Sequence, residues 1–190
     1  MKLLLSNDDG FDAPGMKFLH SALYKKHSLT VSAPAIEQSG VGHAFTYRKG
    51  INLVEREYAD GTPGFAVAGT PADCVKVALG HLLGELPDAV VSGINNGDNT
   101  GIAGFYSGTV GAAREAAFWG VPAVAFSVAN NSEQFYEEYV DLIEGFVLRL
   151  TDKSMTFGEN GKTVFYNVNF PGCVRGECKG IRVCQQSLSF

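Results

Sequence analysis

Short apolar runs alternate with segments of helical spacing along the whole chain. The run Leu3-Leu4-Leu5 has no polar alternation, which is typical of a strand buried on both faces of a parallel sheet. The predicted strands cover residues 3–6, 29–34, 65–68, 88–92, 121–127 and 164–169. The predicted helices cover residues 16–23, 71–83, 108–119 and 133–150. This alternation predicts an α/β fold with a doubly wound, mostly parallel sheet of the Rossmann-like three-layer type.

Helix boundaries and one insertion complete this picture. Thr70 is a good N-cap, Pro71 suits the first helical position, and Asp73 suits the positive first turn. Gly120 is placed to end the helix that begins at residue 108. Residues 40–64 are rich in glycine and partly alternating, which favours a β-rich insertion of hairpins or a loop. We expect residues 1–190 to form a single domain.

Composition narrows the function classes. The chain has 190 residues, 45% hydrophobic and 18% charged, as in ordinary globular proteins. A net charge of −5 argues against a nucleic-acid polymer as partner. The sequence has no apolar run of membrane-spanning length and no signal-peptide core, so we expect a cytoplasmic protein without a membrane partner. The four cysteines lack a C-x-x-C pair and are interpreted as structural thiols, with a redox or metal role as the alternative.

Two adjacent carboxylates follow the first predicted strand, in Asn7-Asp8-Asp9-Gly10. Open α/β sheets bind ligands at the carboxyl edge of their strands, where these side chains would lie. Neighbouring carboxylates repel each other unless positive charge compensates them, and Mg²⁺ or Mn²⁺ suits oxygen ligands. The alternative is a simple turn, since Asp and Gly favour turns.

Further oxygen ligands follow other strands. Ser39 lies in the loop after the second strand, and Asn95 lies in the loop after the strand at 88–92. Parallel strands bring such loops to one edge, so Asp8, Asp9, Ser39 and Asn95 could meet around one cation. Turn formation alone is again the alternative.

The segment Ser107-Gly108-Thr109 has the character of an anion cradle at a helix start. Small residues let backbone N–H groups approach a ligand, and the helix N-terminus adds partial positive charge. The sequence has neither the phosphate-loop lysine motif nor G-x-G-x-x-G, so triphosphate hydrolysis and dinucleotide binding are poorly supported. A helix start without a ligand remains an alternative, and Arg114 is expected to form a surface pair with Glu115 or Asp98.

Taken together, these loops resemble the SurE survival-protein family of 5′-nucleotidases, which are metal-dependent phosphatases of nucleoside monophosphates. The matching stretches are residues 5–10 with 13–15, 33–34 with 38–40, 69–75, 92–95 with 97 and 99, 106–115, and 167–171. They keep the family order over nearly the whole chain.

The resemblance implies metal ligation by Asp8, Asp9, Ser39 and Asn95, with one divalent cation per subunit, Mg²⁺ or Mn²⁺. It implies that Asp8, Asp9 and Asn95 are catalytic. It also implies that the substrate, a small nucleotide, contacts Asn95, Ser107, Gly108 and Thr109. Family members continue past the strand expected at 180–185 with an arm that helps to build an oligomer. The sequence stops at Phe190, so either the protein is naturally short and lacks this arm or the sequence is incomplete. We expect a homodimer or homotetramer.

Two other functions use the same residues. A nucleotide- or phosphate-sensing module would bind metal without turnover, and a sugar-nucleotide transferase would hold Mn²⁺ against a diphosphate.

If the protein is a phosphatase, Asp8 and Asp9 are both candidates for the general base. A phosphoenzyme at Ser39 or Ser107 ranks lower, because no base adjoins either serine in the sequence. His43 is the titratable side chain near the predicted site, with a packed or exposed loop histidine as the alternative reading.

Overall fold

The computed structural model describes residues 1–129, 132–152 and 163–188. Within these residues a seven-stranded sheet has the order β3-β4-β2-β1-β5-β6-β7. Its strands are β1 (Lys2–Ser6), β2 (Ser28–Pro34), β3 (Leu53–Glu57), β4 (Pro63–Val67), β5 (Ala89–Asn96), β6 (Ala123–Val128) and β7 (Phe165–Phe170). Only β3 pairs antiparallel, with β4, among these described strands, so the sheet is mostly parallel as predicted.

Helices connect the strands. They are α1 (Pro14–Leu23), α2 (Pro71–Val77), α3 (Ala103–Tyr106), α4 (Gly108–Phe118) and α5 (Val140–Arg149). A π-helical turn at Ala78–Leu82 extends α2, and 3₁₀ segments occur at Glu133–Tyr139 and Arg175–Glu177. At the start of α2, Thr70 is the N-cap and Pro71 takes the first position, as predicted, and Thr70 and Asp73 together form a capping box.

The helices cover both faces of the sheet, which gives three layers. Leu3 and Leu5 of β1 pack in a core that includes α1 and α5, whereas Leu4 packs in a second core with α2 and α4. All three leucines are buried, as expected of a strand covered on both faces. The α/β Rossmann-like fold is therefore confirmed.

The predicted helix at 133–150 is wrong in its first half. Residues 133–139 form a 3₁₀ segment, and the α-helix begins only at Val140. A 3₁₀ helix has three residues per turn, so side chains three positions apart share one side. Tyr136 and Tyr139 are spaced in this way and are both buried. This spacing brings both rings into the core at once.

Two further predicted β regions have different outcomes. Residues 40–64 form a loop and most of a hairpin, as expected: residues 40–52 are turns and extended segments without strand pairing, and β3 pairs antiparallel with β4. Residues 180–185 are not a strand, because no described strand offers them a backbone partner. Ile181 and Val183 are exposed there.

The sheet reverses its winding direction between β1 and β5. From β1 the chain continues to β2 on one side, and β5 lies on the other side. A crevice forms at such a switch point, beyond the carboxyl ends of the two strands. Gly15 of α1 lies against this point, because a Cβ there would be 2.0 Å from the carbonyl oxygen of Ile94. The close approach brings the loop after β1 next to the end of β5.

No helix among the described residues has the length and hydropathy to cross a membrane.

Candidate active site

A cleft of about 650 Å³ opens at this switch point. Its lining includes Asp8, Asp9, Ser39, Asn95 and Ser107, which are five of the residues singled out in the sequence. Asp8 and Asp9 follow β1, Ser39 follows β2, and Ser107 precedes α4. Asn95 was expected in the loop after its strand, but β5 extends to Asn96 and Asn95 lies at the carboxyl end of the strand itself. The convergence expected from parallel strands is thus present.

Local hydrogen bonds fix the loop after β1. The side chain of Asn7 donates to the carbonyl of Gly10 at 2.9 Å and accepts from its N–H at 3.2 Å. Gly10 has φ of +113°, a backbone conformation that side chains disfavour. The N–H of Gln38 donates to the carbonyl of Asp8 at 2.8 Å, which joins this loop to the loop that carries Ser39.

Asp8 is buried against the start of α4. Burial raises the pKa of its carboxyl, and hydrogen bonds from the hydroxyl of Thr109 and from the N–H groups of Thr109 and Gly108 oppose that rise. A Cβ on Gly108 would lie 2.8 Å from the Cβ of Asp8 and 2.9 Å from Cγ of Pro71. The helix N-terminus therefore supports a metal-ligand candidate directly. Phosphate binding by Ser107, Gly108 and Thr109 stays a prediction.

Asp9 lies among other carboxylates. Burial and the negative charges of Asp8, Glu37 and Glu133 raise the pKa of Asp9 to about 7. An acid with such a pKa is stabilised in its ionised form by any cation that binds beside it. This concentration of negative charge favours a cation site at the cleft.

Asn95 and Ser39 are the two neutral residues among the four predicted metal ligands, and each offers an oxygen atom. The amide nitrogen of Asn95 donates to the carbonyl of Gly97 at 2.6 Å, so its Oδ1 is the atom suited to ligation. Ser39 is exposed and its hydroxyl donates to Glu37 at 2.6 Å. Over the described ranges, no three His, Cys, Asp or Glu side chains form a metal-holding group. Two carboxylates with amide and hydroxyl oxygens nevertheless fit a hard cation that keeps several waters, as Mg²⁺ does.

A network of asparagines anchors the loop after β5. The N–H of Asn99 donates to Asn169 at 2.7 Å, and Asn167 donates to the carbonyl of Asn99 at 2.8 Å. The Asn99 side chain donates to Ser127 at 2.8 Å. These bonds tie the loop that follows Asn95 and Asn96 to β6 and β7.

Several residues that line the cleft were not predicted as site residues, among them the charged and aromatic side chains of Glu37, Tyr106, Glu133 and Tyr136. Glu37 and Tyr106 were detectable, since each lies within two positions of a predicted site residue. Glu133 and Tyr136 follow β6 in the 3₁₀ segment and carry no local signal. Only the fold brings them to Asp9.

Glu115 lies about two turns along α4 from Gly108 and contacts several polar side chains. His43 lies 2.8 Å from Glu115, Lys76 lies 2.9 Å from it, and the His43 ring stacks on Phe118. These contacts favour the packed-histidine reading. Burial works against ionisation of Glu115, but hydrogen bonds from His43, Lys76 and Trp119 outweigh it and lower the pKa of Glu115 to about 2.

The expected pairing of Arg114 with Glu115 or Asp98 is wrong. The Arg114 guanidinium donates to the carbonyl of Gly104 at 3.3 Å and lies over the Phe165 ring.

A family model described as "Survival protein SurE" matches residues 3–189 of this chain. The chain belongs to the SurE family. This confirms the resemblance drawn from the loop motifs, and the match includes all three carboxyl-edge loops of the cleft.

Individual SurE relatives agree with this assignment. The chain is 41% identical over 189 residues to a protein named 5′-nucleotidase SurE from Desulfatibacillum aliphaticivorans, covering 100% of this chain and 73% of the relative. It is 44% identical over 188 residues to 5′-nucleotidase SurE from Brevibacillus brevis, covering 95% and 70%. The crystal structure of a SurE protein from Aquifex aeolicus superimposes with a TM-score of 0.80 at 36% identity, covering 98% of this chain and 73% of that one.

Proposed function

We propose that this protein is a divalent-metal-dependent phosphomonoesterase that hydrolyses nucleoside monophosphates to nucleoside and phosphate. The observation that carries the proposal is the charge around Asp9, whose pKa is raised to about 7 by burial and by Asp8, Glu37 and Glu133. Such a site favours a cation, and SurE relatives bear the name 5′-nucleotidase.

Asp8, Asp9, Ser39 and Asn95 would hold one Mg²⁺ or Mn²⁺ ion. When bound, the ion would offset the negative charge of a phosphoryl group and lower the pKa of water nearby. The Thr109 hydroxyl and the N–H groups at the start of α4 hold Asp8 in its position. We assign Asp8, Asp9 and Asn95 to catalysis because they would hold this ion.

The substrate proposal rests on the size and lining of the cleft. A volume of about 650 Å³ lies within the range of small-molecule sites. Tyr106 and Tyr136 supply aromatic surface for a nucleoside, whereas Asn95 and Ser107 supply polar groups for the phosphate. Gly108 and Thr109 are proposed to contact the phosphate as well, through the N-terminal end of α4.

The deciding experiment is phosphate release from a panel of nucleoside monophosphates with Mg²⁺, with Mn²⁺ and with a chelator. We expect turnover that requires metal and is restored when metal is returned. Metal-dependent nucleotide binding without phosphate release would instead indicate a sensing module. Release of a nucleoside diphosphate from a sugar nucleotide would indicate a transferase. A cytoplasmic location and a homodimer or homotetramer remain our predictions for the protein as a whole.

A further inference from the structure

Three of the four cysteines follow β7, and two of them lie side by side. The sulfurs of Cys173 and Cys178 are 3.9 Å apart. Both residues are partly buried, whereas Cys184 is exposed and Cys74 is fully buried in α2. Cys173 and Cys178 are therefore a pair, and the other two thiols serve as internal references.

Tyr139 holds this pair in place. Its hydroxyl lies 2.7 Å from the carbonyl of Pro171 and 2.8 Å from that of Cys173. The same hydroxyl lies 3.9 Å from the sulfur of Cys173 and 3.7 Å from that of Cys178. Both thiols thus converge on the last residue of the 3₁₀ segment Glu133–Tyr139.

Other contacts attach the cysteine loop, residues 172–178, to the 3₁₀ segment and to Ser132 directly before it. The N–H of Arg175 donates to Glu138 at 2.9 Å. Gly172 packs so closely on Ser132 that a Cβ would lie 2.2 Å from the serine hydroxyl oxygen. The cysteine loop and the 3₁₀ segment therefore form one packed unit.

We propose that Cys173 and Cys178 are a reversible thiol–disulfide site, and that closing the bond repositions the segment Glu133–Tyr139. A disulfide needs sulfurs about 2.05 Å apart, so the present separation has to close by about 2 Å. The two sulfurs have to move toward each other, and this movement changes their contacts with the Tyr139 hydroxyl. Glu133, at the opposite end of that segment, and Tyr136, at its midpoint, line the cleft.

The oxidant is a hydroperoxide, with hydrogen peroxide as the probe. One cysteine sulfur attacks the O–O bond to give a sulfenic acid and one water molecule. The second thiol attacks that sulfur, the S–S bond forms, and the hydroxyl leaves with a proton as a second water molecule. The two sulfurs together lose two electrons, and peroxide gains them. Reduction by dithiothreitol restores both thiols through exchange.

The test treats the purified, reduced protein with hydrogen peroxide, then blocks free thiols and maps peptides by mass spectrometry. We expect a Cys173–Cys178 cross-link, loss of two hydrogens, and full reversal by dithiothreitol, with Cys184 still open to alkylation after brief exposure. Hydrogen–deuterium exchange should change in residues 133–139 on oxidation. The variants Cys173→Ser and Cys178→Ser should lose both responses, and Cys184→Ser should keep them.

The proposal is overturned if the pair stays reduced while Cys184 oxidises, or if Cys184 is the partner found in the cross-link. It is equally overturned if the cross-link forms without any change in exchange at 133–139. Neither readout depends on catalysis, so the result stands whether or not the phosphatase proposal holds. Phosphatase activity measured on the same samples rests on the proposed function, and we expect a severalfold, reversible change in kcat/KM that the Cys173→Ser variant lacks.

Discussion

The hydroxyl of Thr109 donates a hydrogen bond to the carboxylate of Asp8, although 101 positions separate the two residues in the chain. The bond connects the first turn of α4 with the loop after β1, and both residues are buried. It gives Asp8 a fixed position before any ligand arrives. A group that positions a metal ligand in this way influences both metal affinity and catalysis.

Replacing Thr109 with Val keeps the side-chain shape and removes the hydroxyl donor. We expect kcat/KM for a nucleoside monophosphate to fall about 10-fold to 100-fold, since one charge-stabilising donor is lost. Thr109→Ser retains the donor and is the matched control, expected to stay close to the unchanged protein. Steady-state kinetics with a parallel Mg²⁺ titration makes the comparison. Equal losses in both variants would mean that packing, rather than the hydroxyl, matters at this position.

Gly108→Val tests how tightly α4 abuts the site. The added carbons would collide with Asp8 and Pro71, so we expect severe loss of activity. Gly145→Val on α5 is the control, because a Cβ there meets nothing within 4 Å. Binding of Mg²⁺ and of inorganic phosphate should be measured separately by calorimetry. Weakened Mg²⁺ binding indicates displacement of Asp8, whereas weakened phosphate binding alone indicates an anion cradle.

Asp9→Asn should reduce the rate by about 10²-fold or more, as loss of a few kcal/mol of transition-state stabilisation predicts. The control is Asp12→Asn, an exposed neighbour that pairs with Arg56 at 3.2 Å and lies outside the cleft lining. Phosphate release is measured at saturating metal. Full activity of the chelated wild-type protein would falsify the assignment of these carboxylates to a metal.

Stability should depend on pH through Asp9 in the metal-free protein. Its pKa rises from 3.8 to about 7 on folding, so the folded state retains a proton that the unfolded state releases. The free energy of unfolding therefore falls as pH rises through this window, and burial of Asp8 acts in the same direction. Glu115 acts oppositely: its pKa is lowered from 4.5 to about 2, so the stability it contributes is lost as pH falls through that range.

Thermal unfolding of the wild-type protein and of Asp9→Asn from about pH 5 to about pH 8 checks this dependence. Burial lowers the pKa of His20, so His20 adds stability as pH rises in the same interval, and it is present in both proteins. We expect the Tm of the chelated wild-type protein to decrease across the interval relative to that of Asp9→Asn. Saturating Mg²⁺ should raise Tm more at the upper end, where both carboxylates can ionise. A curve that is identical for the wild-type protein and Asp9→Asn contradicts the charge argument.

The strands and the convergence of Asp8, Asp9, Ser39 and Asn95 were predictable because both follow from local rules. Apolar runs identify buried strands, and parallel strands necessarily place their following loops at one edge. The sequence offered no comparable rule for Glu133, whose approach to Asp9 depends on the path of the chain after β6. The 3₁₀ segment was missed for a related reason. Residues three positions apart share one face in an α-helix as well as in a 3₁₀ helix, so the spacing of Tyr136 and Tyr139 does not distinguish the two.

Self-association is the last expectation, and the segment after β7 supplies its reason. Ile181, Val183 and Leu188 are exposed, Val183 at 96%, while Phe190 lies outside the described residues. Exposed apolar side chains in one segment mark an association surface, and two-fold symmetry is the commonest way to cover one. We expect light scattering over a dilution series to give at least a dimer mass. The double variant Ile181→Glu with Val183→Glu should dissociate at higher concentration than a Leu148→Glu control, which alters an exposed residue of α5. A monomer mass at every concentration, with activity intact, would refute assembly through this segment, because the proposed site would then work without a partner.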